Sequence, residues 1–269
     1  MTPIRCPFLL LTFCLCFFVL LLNINMKFFL LKNNKNKIYF FVFIFVVLLL
    51  ILFIKYFFFL SMRVGNYFFG GGGYNLNIAE KAFLLASKDN PPKLFSNYQL
   101  GRINFIKGNF YTAIDYFNEE ERIYPENSKV HYMRGLTYGY MGNENKGIEE
   151  FRKYIEKNPK TWAGRNDMAW LQFRGGDIKG AIETIKPAIE VYSGNPWILN
   201  SYGAYLLNDG KYTEALDNFI KAKEVVDKMD YEMWGVAYPG NDPRVYGEGL
   251  EQMKKSIDSN ISLVKQKIK

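Results

Sequence analysis

The chain has 269 residues, with 34 basic and 26 acidic side chains and a net charge of +8, which allows one or two domains. Arg5, Lys27, Lys32, Lys35, Lys37, Lys55 and Arg63 all precede the first acidic residue, Glu80, so the rest of the chain is nearly neutral, with 27 basic and 26 acidic groups. A nucleic-acid binder needs a basic surface on its folded part, so nucleic acid is not an expected partner.

The first apolar run, Phe8 to Leu22, is 15 residues long and short for a membrane span. Three readings stay open for residues 1–25: a first transmembrane helix, a signal-like leader, or a stretch upstream of the true start. Met26 begins MKFFLLKNNKNK, which is itself a basic lead-in to an apolar segment. Cys6, Cys14 and Cys16 are the only cysteines and lie just before or within this first run, so neither a disulfide framework nor a cysteine metal site is expected further on.

Ile38 to Ile54 is 17 residues without a charge, and as a helix it extends about 26 Å. Lys55 can snorkel, and Tyr56 to Leu60 lengthens the apolar stretch past the hydrocarbon core. In lipid each backbone N–H needs an internal partner, so a helix is expected. Residues 26–62 therefore read as basic lead-in and membrane anchor, with the bilayer as a partner and one or two passes in all. Lys27, Lys32, Lys35 and Lys37 precede the span and only Lys55 and Arg63 follow it closely, which places the bulk of the chain on the extracytoplasmic side. Residues 63–75 contain Gly70 to Gly73 and read as a glycine-rich linker.

Gly108, Gly142, Gly176 and Gly210 then recur every 34 residues. Other positions keep the same period. Gly101, Gly135, Ala169 and Gly203 are small, as are Ala113, Gly147, Ala181 and Ala215, while Phe117, Phe151, Ile185 and Phe219 are large and apolar. This is the pattern of a helix hairpin: small residues on both helices allow close approach, a large one fills the layer to the next hairpin, and glycine caps the first helix in the left-handed conformation. Pro125 and Pro159 end second helices.

These residues resemble the tetratricopeptide repeat, a 34-residue helix pair. Unit starts at Leu94, Ser128, Trp162 and Pro196 give four units, 94–127, 128–161, 162–195 and 196–230. Asn104, Gln172 and Leu206 depart from the usual first-helix aromatic, and Glu120 and Tyr154 replace the usual last small residue; Tyr154 should push the second and third hairpins apart. Ala79, Phe83, Ala86 and Pro91 suggest an N-terminal half repeat over 76–93 whose first helix is replaced by the anchor's end and the linker. At the other end, residues 231–269 read as a turn, with Asp242 before Pro243, and a capping helix with Tyr246, Leu250, Met253, Ile257, Ile261, Val264 and Ile268 on one face. The expected fold class is all-α, an α-solenoid of helix hairpins behind one or two transmembrane helices.

The resemblance implies a concave face built from first helices, and through it protein or peptide binding. Its candidate residues here are Tyr98, Arg102, Phe105, Tyr132, Tyr140, Asn166, Trp170, Phe173, Arg174, Trp197 and Asn200, an aromatic set with donors of the kind that binding hot spots use. The cationic clamp that some members use for acidic C-terminal peptides does not match, because Tyr98 and Ile106 stand at its positions. No catalytic residue, metal or cofactor is expected. His131 is the single histidine, and Glu119 to Glu121 and Glu149 with Glu150 read as solvated helix faces. The reading is a membrane-anchored adaptor without turnover; the alternative is an accessory or C-terminal part of an envelope glycan ligase or polymerase system.

Overall fold

The computed structural model describes residues 34–237 and 246–269. The first apolar run, Lys27 and Lys32, and the expected turn around Asp242 lie outside the described residues. Twelve helices are described, and the isolated bridge between Phe69 and Tyr74 is the one β pairing among those residues. The chain divides between Phe57 and Phe58 into two compact units.

Helix α1, Asn34–Phe68, holds the long apolar run. Its stretch from Lys37 to Phe68 has a mean hydropathy of 3.0 in its most apolar window, and none of that window is buried by protein. By length and composition this stretch is able to cross a membrane.

The second unit opens with the last turns of α1. Arg63 to Phe68 are helical, so the expected linker over 63–75 is corrected: the helix runs further, and the glycines form a closed turn. Gly71 N–H donates to Asn66 O, Gly73 N–H to Tyr67 O and Asn75 N–H to Phe68 O, all within 3.1 Å. Asn75 then caps α2, Leu76–Ala86, by accepting from the N–H groups of Asn77 and Ile78. The first helix of this hairpin is therefore present and is the end of α1 itself. Met62 and Phe68 pack with Phe69, Ala79, Phe83, Leu100 and Ile103 in one apolar cluster.

Four hairpins follow: α3, Ser96–Ile106, with α4, Phe110–Ile123; α5, Lys129–Tyr140, with α6, Glu144–Lys157; α7, Trp162–Arg174, with α8, Ile178–Val191; and α9, Pro196–Asn208, with α10, Tyr212–Val226. Each first helix ends the same way. Gly108, Gly142, Gly176 and Gly210 have φ between +75° and +86°. The next residue's N–H reaches back to the helix: Asn109 to Asn104 O, Asn143 to Tyr138 O, Asp177 to Gln172 O and Lys211 to Leu206 O, at 2.8–2.9 Å. This is a Schellman closure repeated four times. A β-carbon on these glycines would meet nothing within 4 Å, so only the backbone conformation asks for glycine. The helix-internal glycines answer to packing instead: a β-carbon on Gly203 would lie 2.7 Å from the Phe219 ring, and on Gly135 3.0 Å from Phe151.

Two more helices close the array. Sequence reasoning missed α11, Tyr231–Ala237, which buries Trp234. Helix α12, Tyr246–Ile268, buries Leu250, Ile257 and Val264 against the cluster that holds Phe219, Ala222 and Val226 of α10. Met253 and Ile261 are half-buried beside them, and Ile268 is exposed.

Candidate functional site

Two of the departures from the repeat pattern, Glu120 and Tyr154, have a structural reason. Glu120 is fully buried, which corrects its reading as part of a solvated face. Phe95 N–H donates to it at 2.7 Å, Tyr98 N–H at 3.2 Å and Asn127 Nδ2 at 3.1 Å. Helix α3 has no side-chain cap of its own, so the carboxylate from α4 supplies one. Burial raises the Glu120 carboxyl above its usual value, and the hydrogen bonds from Phe95, Asn127 and Tyr98 act against that rise.

Glu150 is likewise buried rather than solvated. Arg134 Nε donates to it at 2.8 Å, and His131 Nδ1 lies 2.9 Å away. Arg134 also donates to Glu121 at 2.6 Å and to Asn118 at 2.8 Å. Burial alone would raise the Glu150 carboxyl, but hydrogen bonds from His131 and Lys153 and the charge of Arg134 outweigh it and lower it to about 2. His131 is thus held in an ion-pair network within the core of the second unit. Tyr154 does not force its hairpins apart: Gly164 makes the room, since a β-carbon there would lie 2.9 Å from the Tyr154 ring.

The first helices place their equivalent positions around one hollow. A cavity of about 430 Å³ is lined by Phe95, Tyr98, Arg102, Lys129 and Tyr132, with Met62 and Asn66 of α1 at its rim. Tyr98, Arg102 and Tyr132 are candidates from the repeat register that this cavity brings together. Arg102 lies 4.5 Å over the Phe69 ring, and Lys129 lies 5.5 Å over Phe95, so both cations are held against aromatic faces. The Tyr132 hydroxyl donates to Asp167 at 2.6 Å. Burial, and next the Asp167 charge, push that hydroxyl well above its usual value; burial also raises Asp167, against the hydrogen bond from Tyr132. Asp167 was not singled out in the sequence, where a lone acid beside Asn166 carries no signal.

A second group continues from the cavity toward the glycine turns. The rings of Phe105 and Tyr140 are 5.3 Å apart and those of Tyr140 and Trp170 6.1 Å apart, with Arg174 stacked 4.8 Å over Trp170. Arg174 also donates to Gly139 O at 3.0 Å and pairs with Glu144 at 3.2 Å. Tyr140 is 60% exposed, which leaves this strip of rings open to solvent.

Three candidates lie elsewhere. Phe173 packs against Tyr205, with ring centroids 5.0 Å apart. Trp197 is stacked between Trp162, at 5.8 Å, and Trp234, at 4.5 Å. Asn200 accepts a hydrogen bond from Asn260 of α12 at 3.0 Å. Trp197 and Asn200 thus meet the C-terminal helices on one side while both stay half-buried, and Trp197 also lines a separate cavity of about 690 Å³ with Val191, Tyr192 and Met233. Asn166, the equivalent of Asn200 one unit earlier, donates to Asp167 at 3.1 Å.

Comparison with known proteins agrees with this geometry. Residues 128–161 match the family model described as tetratricopeptide repeat. They coincide with the unit formed by α5 and α6. The BBSome complex member BBS4 of Bos taurus is 24% identical over 125 residues, 45% of this chain and 23% of that protein. The chain thus matches about a quarter of that relative's length. Among solved structures, MamA is 19% identical with a TM-score of 0.54, over 64% of this chain and 92% of its own. TTC0263, a thermophilic TPR protein of Thermus thermophilus, is 19% identical with a TM-score of 0.52, over 66% and 95%. These likenesses are of fold. The chain is an all-α array of tetratricopeptide-like hairpins behind one long apolar helix, and repeats of this kind generally bind proteins or peptides.

Proposed function

We propose that this is a membrane-anchored adaptor that holds a protein or peptide segment on the concave face of its first three units, without turnover. The observation that carries the reading is the cavity in which successive first helices converge Phe95, Tyr98, Arg102, Lys129 and Tyr132. Aromatic walls give apolar contact at low entropic cost, and the two cations favour a segment that brings carboxylates or carbonyl oxygens. The strip through Phe105, Tyr140 and Trp170 extends the same surface. Helix α1 has the length and apolarity to anchor it in a bilayer, with the repeats on the extracytoplasmic side.

The test is photo-crosslinking in native membranes from a probe at Tyr140, beside a control probe at Ile220 on the outer face of α10. A discrete adduct from position 140 that the Tyr98→Ala, Trp170→Ala variant loses supports the reading. Equal adducts from both positions, or adducts unchanged in the variant, would sink it. Protection of the repeats from protease added to intact cells would overturn the orientation.

A further inference from the structure

The hairpin formed by the end of α1 with α2 differs from the later hairpins in its outer surface. Ile78, Leu84 and Leu85 of α2 are exposed, at 40%, 37% and 37%. Single exposed aliphatics are ordinary, but the repeat offers an internal control. One period later Leu84 and Leu85 become Asn118 and Glu119, then Arg152 and Lys153, then Lys186 and Pro187, then Ile220 and Lys221. Ile78 becomes Thr112, Lys146, Gly180 and Glu214. All three outward positions are large and apolar in the unit that contains the end of the apolar helix, whereas Ile220 is the one large aliphatic among their equivalents in the later units.

The placement of these side chains is directional. Phe83 packs on Gly65, and the turn at Phe69 to Tyr74 sits beyond it, so α2 runs back along α1 toward the apolar end. Helix α3 starts beside Met62, which shares the cavity with Phe95. Leu84, Leu85 and Leu94, the last 45% exposed, therefore lie toward the Met62 end of this hairpin. Lys81 of α2 and Lys88 in the turn that follows it are exposed. The acids nearby are engaged: Glu80 pairs with Lys107 at 2.7 Å, and Asp89 with Lys93 at 2.9 Å.

We infer that this edge of the first hairpin rests on the surface of the bilayer that α1 spans, with Leu84, Leu85 and Leu94 entering the headgroup boundary and Lys81 and Lys88 meeting anionic headgroups. Leucines flanked by lysines are the chemistry of an interfacial segment. Helix α1, at 35 residues, extends about 52 Å and outruns a hydrocarbon core of about 30 Å, so its last turns stand at the interface where this edge lies. Each lysine brought to an anionic surface favours docking by about fivefold. The inference rests on the anchor reading of α1.

The test uses the full chain in nanodiscs, with Cys6, Cys14 and Cys16 replaced by serine and one environment-sensitive label. Labels are placed through Phe45→Cys in the apolar run, Leu85→Cys on the edge and Tyr111→Cys on a remote exposed site, and quenched by lipids spin-labelled at shallow or deep positions. The expected result is deep quenching at 45 and shallow quenching at 85. At 85 it should rise when phosphatidylglycerol is added to phosphatidylcholine, with little quenching at 111. Quenching at 85 no greater than at 111, with 45 quenched, overturns this inference and leaves the anchor intact. No quenching at 45 overturns both. Lys81→Glu with Lys88→Glu should lower docking on anionic discs by about fivefold per lysine lost. An unchanged response to phosphatidylglycerol in that variant removes the anionic headgroup from the inference. Self-quenching of the label at 85 without lipid quenching would identify a second copy as the occupant instead. Melting curves matching the unlabelled chain establish that each variant is folded.

Discussion

The ring of Phe83 leaves no space for a β-carbon on Gly65: its nearest atom would lie 2.5 Å away. Gly203 and Phe219 stand in the same relation in the fourth hairpin, at 2.7 Å. The long apolar helix α1 thus ends as a repeat helix, and its last turns belong to the core. Gly65→Val should lower stability by about 1–3 kcal/mol through overpacking. Gly142→Ala, where nothing crowds the site, should cost about 1–2 kcal/mol through its left-handed backbone alone. Thermal unfolding of the two variants by circular dichroism measures both. Equal tolerance of Gly65→Val and of a change at an exposed helix site would refute the packing.

A chain cut to begin at residue 76 should lose the partners of Phe83 and expose Leu100 and Ile103, which are now fully buried. A chain cut to begin at residue 58 keeps Met62, Phe68 and Phe69 against them. The shorter chain is expected to melt lower and to bind a hydrophobic dye, and the longer one to do neither. Indistinguishable melting would show that the end of α1 contributes nothing.

Acid should unfold the second hairpin partly through Glu150. Its carboxyl is lowered to about 2 in the folded chain, against 4.5 for the ordinary group. A lowered carboxyl stabilises the fold above the unfolded value, and that contribution fades as pH falls from about 4.5 toward 2. Glu150→Gln should therefore melt lower at neutral pH and show a flatter acid limb. A melting temperature whose pH dependence matches that of the unaltered chain would count against the network.

The tryptophans separate groove from core. Trp170→Ala should weaken partner capture with little change in melting, since Trp170 belongs to a strip of rings centred on exposed Tyr140. Trp197→Ala removes the half-buried middle ring of a three-ring stack and should cost about 1–3 kcal/mol. Capture by the folded remainder should persist. The reverse pattern would restore Trp197 to the binding surface.

Much of the fold could be read from spacing, because left-handed caps and close helix contacts each demand glycine or alanine and both repeat with the hairpin. The first hairpin escaped that reading for a physical reason. Gly65 and Phe83 are 18 residues apart where Gly101 and Phe117 are 16, so the longer glycine turn moves the pair off the period. The apolar content of α1 also hides which of its residues pack in the repeat core. In the site, Tyr98, Arg102 and Tyr132 were visible because register alone places them. The contacts that Asn200 and Trp197 make were not, because they come from α11 and α12, which follow no repeat. Glu120 and Glu150 looked solvated because adjacent acids on a helix usually are; their burial depends on N–H groups and an arginine brought in by neighbouring helices.

Helix α12 lies along α10 on the surface where a further hairpin would stack, with Leu250, Ile257 and Val264 seated in it. The array has a bookend there. Copying a repeat onto that end would first have to evict the bookend, whereas a unit spliced in between existing hairpins meets two faces already shaped to receive it. Change in the number of repeats is therefore easiest in the middle of the stack, and each such splice would lengthen the open face while leaving both of its ends as they are.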